Sequence, residues 1–211
     1  ACLGPILGSY TDKNANRKLV LLSLVILGFF STSLLWFAKP DVEYLFIATF
    51  LSCLSVLSME LIFVLYNSLL SKTSSPSNLG QVSGLAWSAG YTGGIVSLII
   101  CLVLFIFPEK LPFGFDKENG GDVRICMLFI SLWLILFCIP LFLFVKEPKK
   151  NKISISTFAY LKEGLKKIYN SKNIFRYFLA RVFYFDALAT LFAFGGIYAS
   201  KVFAFNKIEI L

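Results

Sequence analysis

Long apolar runs separated by short charged connections set the pattern of this chain. A partial run covers residues 1–10. Full runs follow near 19–38, 44–70, 81–108, 123–145 and 174–205. Roughly 20 apolar residues carry a helix across the hydrocarbon core of a bilayer, so each full run predicts a transmembrane helix, the longer ones tilted. Periodicity cannot separate helix from strand inside a run with no polar face, but length can. A barrel strand needs only about 9–11 residues with strict alternation, and these runs do not alternate. The pattern predicts an all-α membrane protein.

Composition extends that reading to the whole chain. Charged residues are 15% and hydrophobic residues 57% of the 211 positions, where a soluble domain carries about 25% charge. The net charge of +8 does not indicate a nucleic-acid partner, because the cations sit in loops between apolar runs and not on one folded face. The partners expected are the lipid bilayer and a small solute. There is no initiator Met and no signal-peptide pattern, and the last residues, 206–209, are loop-like. The expectation is an internal piece of a longer protein.

The basic residues alternate between the two sides. Lys13, Arg17, Lys18, Lys72 and eight lysines from Lys146 to Lys172 fall on one side; Lys39, Lys110, Lys117, Arg124, Lys201 and Lys207 fall on the other. The positive-inside rule places the richer set in the cytoplasm. Within the long basic connection, Phe158, Leu161, Leu165 and Ile168 form an apolar stripe with Lys162, Lys166 and Lys167 off it. Ser156 or Thr157 is placed to cap its start. This predicts an amphipathic helix on the inner membrane surface; a basic loop that merely obeys topology is the alternative. The acidic stretch 116–122 lacks the spacing and closing Glu of a calcium loop.

Candidate chemistry is sparse. The five cysteines form no CxxC pair and the chain has no His, so neither a metal site nor a cofactor is expected. An intramembrane enzyme would need a clustered catalytic pair or a metal motif. Asp186 is the one aspartate at depth, which leaves an aspartate pair incomplete. Three ionisable residues stand inside apolar runs, where charge is costly and usually functional: Glu60, Arg181 and Asp186. Glu60 and Asn67, seven residues apart, share a helix face to within about 20°, with Tyr66 adjacent, and that face is a candidate cavity wall. Arg181 and Asp186, five apart, are poorly placed to pair with each other, so each is expected to need a partner on another helix. The uncharged run from Gly80 to Pro108 opens with Gly80, Gly84, Gly90, Gly93 and Gly94, small residues that in lipid allow close helix packing. Trp87 and Tyr91 stand one turn apart among them.

The motif Gly8-x-x-x-Asp12-Lys13-x-Ala15-x-Arg17-Lys18, lying between two runs, resembles the loop after the second helix of the major facilitator superfamily. Ala15 stands there for a Gly and Asn16 for a basic residue. The stretch Gln81–Gly94, with Phe63-Val64-Leu65-Tyr66-Asn67-Ser68-Leu69-Leu70 before it, resembles the fourth and fifth helices of one branch of that superfamily. The branch contains the vacuolar amino-acid effluxers of autophagy and bacterial proteins. The block Phe178-Leu179-Ala180-Arg181-Val182-Phe183-Tyr184-Phe185-Asp186-Ala187, continued by Phe194-Gly195-Gly196-Ile197-Tyr198, resembles its seventh helix, with Phe185 and Ala187 departing from a Tyr-Asn-Asp-Gly pattern.

The resemblance implies a part of a twelve-helix fold, from the end of helix 2 through helix 7. Residues 1–146 would form the first bundle, 147–173 the cytoplasmic linker with its amphipathic helix, and 174–211 the start of the second bundle. It implies a secondary transporter of a small polar solute, amino acids among them, working by alternating access. A coupled proton would use one of the intramembrane carboxylates. Glu60, Tyr66, Asn67, Trp87, Tyr91, Arg181 and Asp186 would lie on the solute or ion pathway. Gly8, Asp12, Lys13, Arg17 and Lys18 would form a conformational latch. The expected location is a bacterial inner membrane, with a vacuolar membrane as the alternative. A non-transporting scaffold or sensor of the same fold is the rival function.

Overall fold

The computed structural model describes residues 3–14, 16–109, 117–146 and 157–205. The chain forms two compact units, Ala1–Ser154 and Ile155–Leu211. The first contains α1 (Leu3–Asn14), α2 (Arg17–Leu34), α3 (Leu45–Thr73), α4 (Leu79–Cys101) and α5 (Gly121–Phe144). The second contains α6 (Thr157–Asn170) and α7 (Lys172–Val202). Among the described residues, five helical segments are long and apolar enough to cross a membrane, and each overlaps one of the runs read from the sequence.

The helix ends depart from the apolar runs. The first helix was expected to stop near Tyr10 and open a charged turn. Instead α1 continues to Asn14, and α2 begins at Arg17. Residues 10–14 contain no Gly or Pro, and a charge at the water boundary does not break a helix. Thr11 sits inside that last stretch, fully buried, its hydroxyl donating back to Gly8 O at 3.0 Å. Beyond Cys101, α4 widens into a π-helical turn, Leu102–Ile106, closed by Phe107 N–H on Leu102 O at 2.9 Å.

Helix α2 is the axis of the first unit. Arg17, Leu21, Val25, Gly28 and Thr32 are all buried, and steps of three and four residues put them on one stripe. At the end where α2 begins, Leu21 packs with Leu65 and Leu69 of α3, and Leu141 and Phe142 of α5 join them. At the other end, Trp36 packs with Cys101, Phe105, Ile125 and Cys126. Of the basic residues assigned to one side by charge counting, Arg17 and Lys18 stand at the start of α2, which meets the ends of α3 and α5.

Between these apolar clusters the unit is held by small polar residues. Thr32 Oγ1 and Ser55 Oγ lie 2.7 Å apart, joining α2 to α3. Ser33 Oγ donates to Ser131 Oγ at 2.8 Å, joining α2 to α5. Such bonds between membrane helices are worth about 0.6 kcal/mol on average. Gly28 allows the approach: a Cβ there would stand 3.5 Å from Met59 Cε and Ser58 Cβ and 3.6 Å from Leu134 Cδ2. Gly28→Ala would fit as ordinary contact. Gly28→Leu is expected to overpack the junction, costing about 1–3 kcal/mol, and thermal unfolding in detergent would read the loss. An unfolding temperature equal to the parent's would show that α2 and α3 do not approach here.

The sequence reading assigned close packing to the glycines of α4. Around Gly80, Gly84, Gly90, Gly93 and Gly94 no described atom lies within 4 Å of an added Cβ. Within the described residues those glycines hold no helix against them. Within the first unit the close contact between helices is made at Gly28, Ser31, Thr32, Ser55, Ser58 and Ser131.

Candidate functional site

The first unit has a groove of about 580 Å³ between α3 and α4. From α3 it takes Phe63, Tyr66, Asn67 and Leu70; from α4 it takes Ser83, Ala86, Trp87, Gly90, Tyr91, Gly94, Ile95 and Leu98. Its central feature is an aromatic row. Phe63 meets Trp87 edge-on with ring centroids 5.7 Å apart, and Trp87 lies 5.8 Å from Tyr91 at a tilt of 31°. The spacing in sequence produces this arrangement, because residues 87 and 91 are one turn apart on α4. Gly90 and Gly94 line the same groove, and their missing side chains leave its wall open. The role of these two glycines in the described unit is to make room.

No lining residue is ionisable at neutral pH. The polar atoms available are the Asn67 amide, the Ser83 hydroxyl, the two tyrosine hydroxyls and the Trp87 indole N–H. An apolar cleft with a few convergent polar groups is the usual form of a small-molecule site. Tyr66, Asn67, Trp87 and Tyr91, read from the sequence as pathway residues, are thus brought together. Phe63 and Ser83 were missed. Phe63 was legible in principle, since it stands one turn before Asn67 on the same face.

Glu60 is not part of this groove. It borders a separate concavity of about 610 Å³ beside α1 and α3, with Leu3, Gly4, Cys53, Val56 and Val64. Sharing a face with Asn67 to within about 20° was not enough, because the boundary between the two concavities falls between these positions. Glu60 does stand near the middle of α3, and its carboxylate has no partner among the described residues.

The loop residues behave differently from one another. Arg17 is 3% exposed, at the start of the central stripe. Lys18 Nζ donates to Phe142 O at 2.8 Å, in the last turn of α5, and to Val145 O at 2.7 Å, on the residue that follows the helix. Those carbonyls lack intrahelical partners, and a cation there also meets the negative end of the helix dipole. Gly8 is half-buried, with nothing within 4 Å of an added Cβ. The side chains of Asp12 and Lys13 lie outside the described residues.

Two cations on the opposite side do the same work as Lys18, and sequence reasoning read them as topological charges alone. Lys117 Nζ donates to Ile106 O at 2.7 Å. Arg124 donates to Trp36 O and stacks over the Trp36 ring, 4.7 Å from its centroid. Each ties the end of one helical segment to the start of another.

In the second unit, Arg181 finds both its contacts on its own helix. Nη1 donates to the Tyr177 hydroxyl at 3.2 Å, and the guanidinium lies 4.9 Å from the Phe185 ring centroid. Residues four away on either side are within reach along one face. Asp186 stands near the middle of α7, is exposed, and has no partner for its carboxylate among the described residues. No group of three or more potential metal ligands occurs among those residues.

Comparison with known proteins bears on both units. The family model described as "Vacuole effluxer Atg22 like" matches residues 71–211. An "Uncharacterized MFS-type transporter YxiO" of Bacillus subtilis (strain 168) is 26% identical over 208 residues, covering 96% of this chain and 47% of that protein. The chain thus spans about half the length of the curated relative it matches. No solved structure matches it. Both descriptions are of transporters and neither is of an enzyme. Two-thirds of the sequence, carrying the groove wall of α4 and all of α5, α6 and α7, falls within the family match, and the chain belongs to the Atg22-like vacuole effluxer family.

Proposed function

We propose that this chain supplies the first bundle and the opening of the second in a secondary active transporter that works by alternating access. In this reading residues 1–146 form the first bundle, 147–173 the cytoplasmic linker and 174–211 the start of the second. The observation that carries it is the α3–α4 groove, whose aromatic row and uncharged polar groups suit a small solute bound near mid-membrane. Transporters of this type hold their site where two bundles face each other and rock around it. The open stripe of Gly80, Gly84, Gly90, Gly93 and Gly94 is then suited to close helix packing and sliding during the transport cycle.

The cargo proposed is a small polar solute of the amino-acid class, supported by the family description. Asp12 with Lys13, Arg17 and Lys18 is proposed as the cytoplasmic latch. The membrane proposed is a bacterial cell membrane, on the strength of the Bacillus relative and a composition rich in Lys, Ile and Phe.

Asp186 is proposed to carry a coupled proton. Among the described residues its carboxylate has no partner, it stands near the middle of a spanning helix, and such groups are expensive to keep without a function. In proteoliposomes of the full-length protein, Asp186→Asn should abolish uptake driven by a pH gradient while leaving solute exchange at equal pH intact. Gradient-driven uptake at the parental rate would remove Asp186 from the coupling step. Flux indistinguishable from empty vesicles across an amino-acid panel, with the parent protein, would favour a scaffold over a transporter.

A further inference from the structure

We propose that α6 and the first turns of α7 form a docking surface for the anionic headgroups of the adjoining phospholipid leaflet. The joint between the helices fixes where α6 lies. α6 ends at Asn170, and α7, a candidate membrane span, begins at Lys172, so one residue separates them. That residue, Ser171, takes extended angles, φ −106° and ψ 104°. The corner is tied on both sides: Ser171 N–H donates to Ile168 O at 3.3 Å, and Phe175 N–H donates to Ser171 O at 2.9 Å. The Tyr169 ring stands edge-on to Phe175, 6.3 Å away. A helix hinged this closely to a span stays at the boundary between water and lipid.

The faces of α6 select the occupant. Leu165, Ile168 and Tyr169 fall within a sector of about 100°, and Leu165 is 67% and Tyr169 79% exposed. Lys162 and Lys166 border that sector on one side and Lys167 stands beyond it, all three exposed. Lys172 and Arg176 add two exposed cations in the first turns of α7. Over residues 162–176 the one opposing charge is Glu163. An apolar stripe flanked by cations inserts at the level of the acyl boundary and places its charges among headgroups. Five cations against one anion match a leaflet rich in negative lipid, which attracts each nearby Lys or Arg.

The test uses the full-length protein in lipid nanodiscs. Leu165→Cys, with the native cysteines replaced by Ala, carries a polarity-sensitive fluorophore. Discs of phosphatidylcholine with phosphatidylglycerol should give a buried emission, and discs of phosphatidylcholine alone a solvated one. The docked-to-free ratio should fall about fivefold for each of Lys162 and Lys166, the two lysines that border the stripe, changed to Gln, and it should fall with added salt. Where the cysteine-free protein does not fold, amine-labelling of the native protein replaces it, and these lysines should be protected only in the anionic discs. Equal emission or equal labelling in both lipids, whether buried or solvated, would overturn the proposal.

Discussion

Replacing Trp87 with Ala in the full-length protein is expected to weaken apparent solute affinity by about 30-fold, the effect of losing roughly 2 kcal/mol at a central aromatic contact. Trp87 is the middle member of the row, edge-on to Phe63 and tilted against Tyr91. Its removal takes the largest apolar face out of the α3–α4 groove and leaves Asn67 and Ser83 without a wall between them and lipid or water. The fold should survive, because Trp87 is 43% exposed and belongs to neither buried cluster of the first unit. Uptake titrations over solute concentration would separate lost affinity from lost insertion. An unchanged half-saturation concentration would take the groove off the solute path.

A companion substitution sharpens this result. Gly90→Leu places a branched side chain in the same groove, and nothing among the described residues obstructs its Cβ. It should block uptake without lowering the unfolding temperature. The contrast with Gly28→Leu, which should destabilise, separates a glycine that leaves space from one that permits contact. A destabilised Gly90→Leu protein would instead show that the α4 stripe packs against a helix beyond the first unit, as the sequence reading expected.

The helices themselves were legible because apolar length is a direct consequence of bilayer thickness. All five spanning segments coincide with runs visible in the sequence. Helix ends were less legible. Thr11 and Asn14 extend α1 because the side chains past Tyr10 are helix-compatible, and hydropathy says nothing about that. The glycine that packs within the first unit was passed over for a related reason. Composition draws attention to the glycine-rich stretch of α4, whereas Gly28 is isolated in sequence and its importance comes from Ser58, Met59 and Leu134 meeting it from two other helices. Its spacing with Thr32, four residues on, was the available signal. In the site, Trp87 and Tyr91 were found because adjacent turns put them together. Phe63 was passed over because its contact with Trp87 crosses between helices. Glu60 was grouped with Asn67 by a shared face, and the structure shows two grooves meeting along that face.

Charge counting also hid a second role for the basic residues, and Lys18 shows it most clearly. Lys18→Met is expected to destabilise the first unit by about 1.5–3 kcal/mol, the range for hydrogen bonds made by a charged group. Its ammonium bonds two carbonyls at the end of α5, 124 and 127 residues away. No backbone N–H of α5 can replace those donors, since the orphan carbonyls lie in its final turn. The end of α5 would then separate from the start of α2, and the cluster of Leu21, Leu65 and Leu69 that lies against Leu141 and Phe142 would open with it. Lys39→Met removes an exposed cation with no bond of this kind and should leave the unfolding temperature unchanged. A purely topological role makes the opposite prediction. Losing Lys18 would then change the fraction of molecules inserted in the correct orientation, read by labelling of engineered cysteines from each side, while correctly inserted molecules unfolded at the parental temperature. Because Lys18 bonds the α5 carbonyls directly, the stability loss should appear in correctly oriented protein.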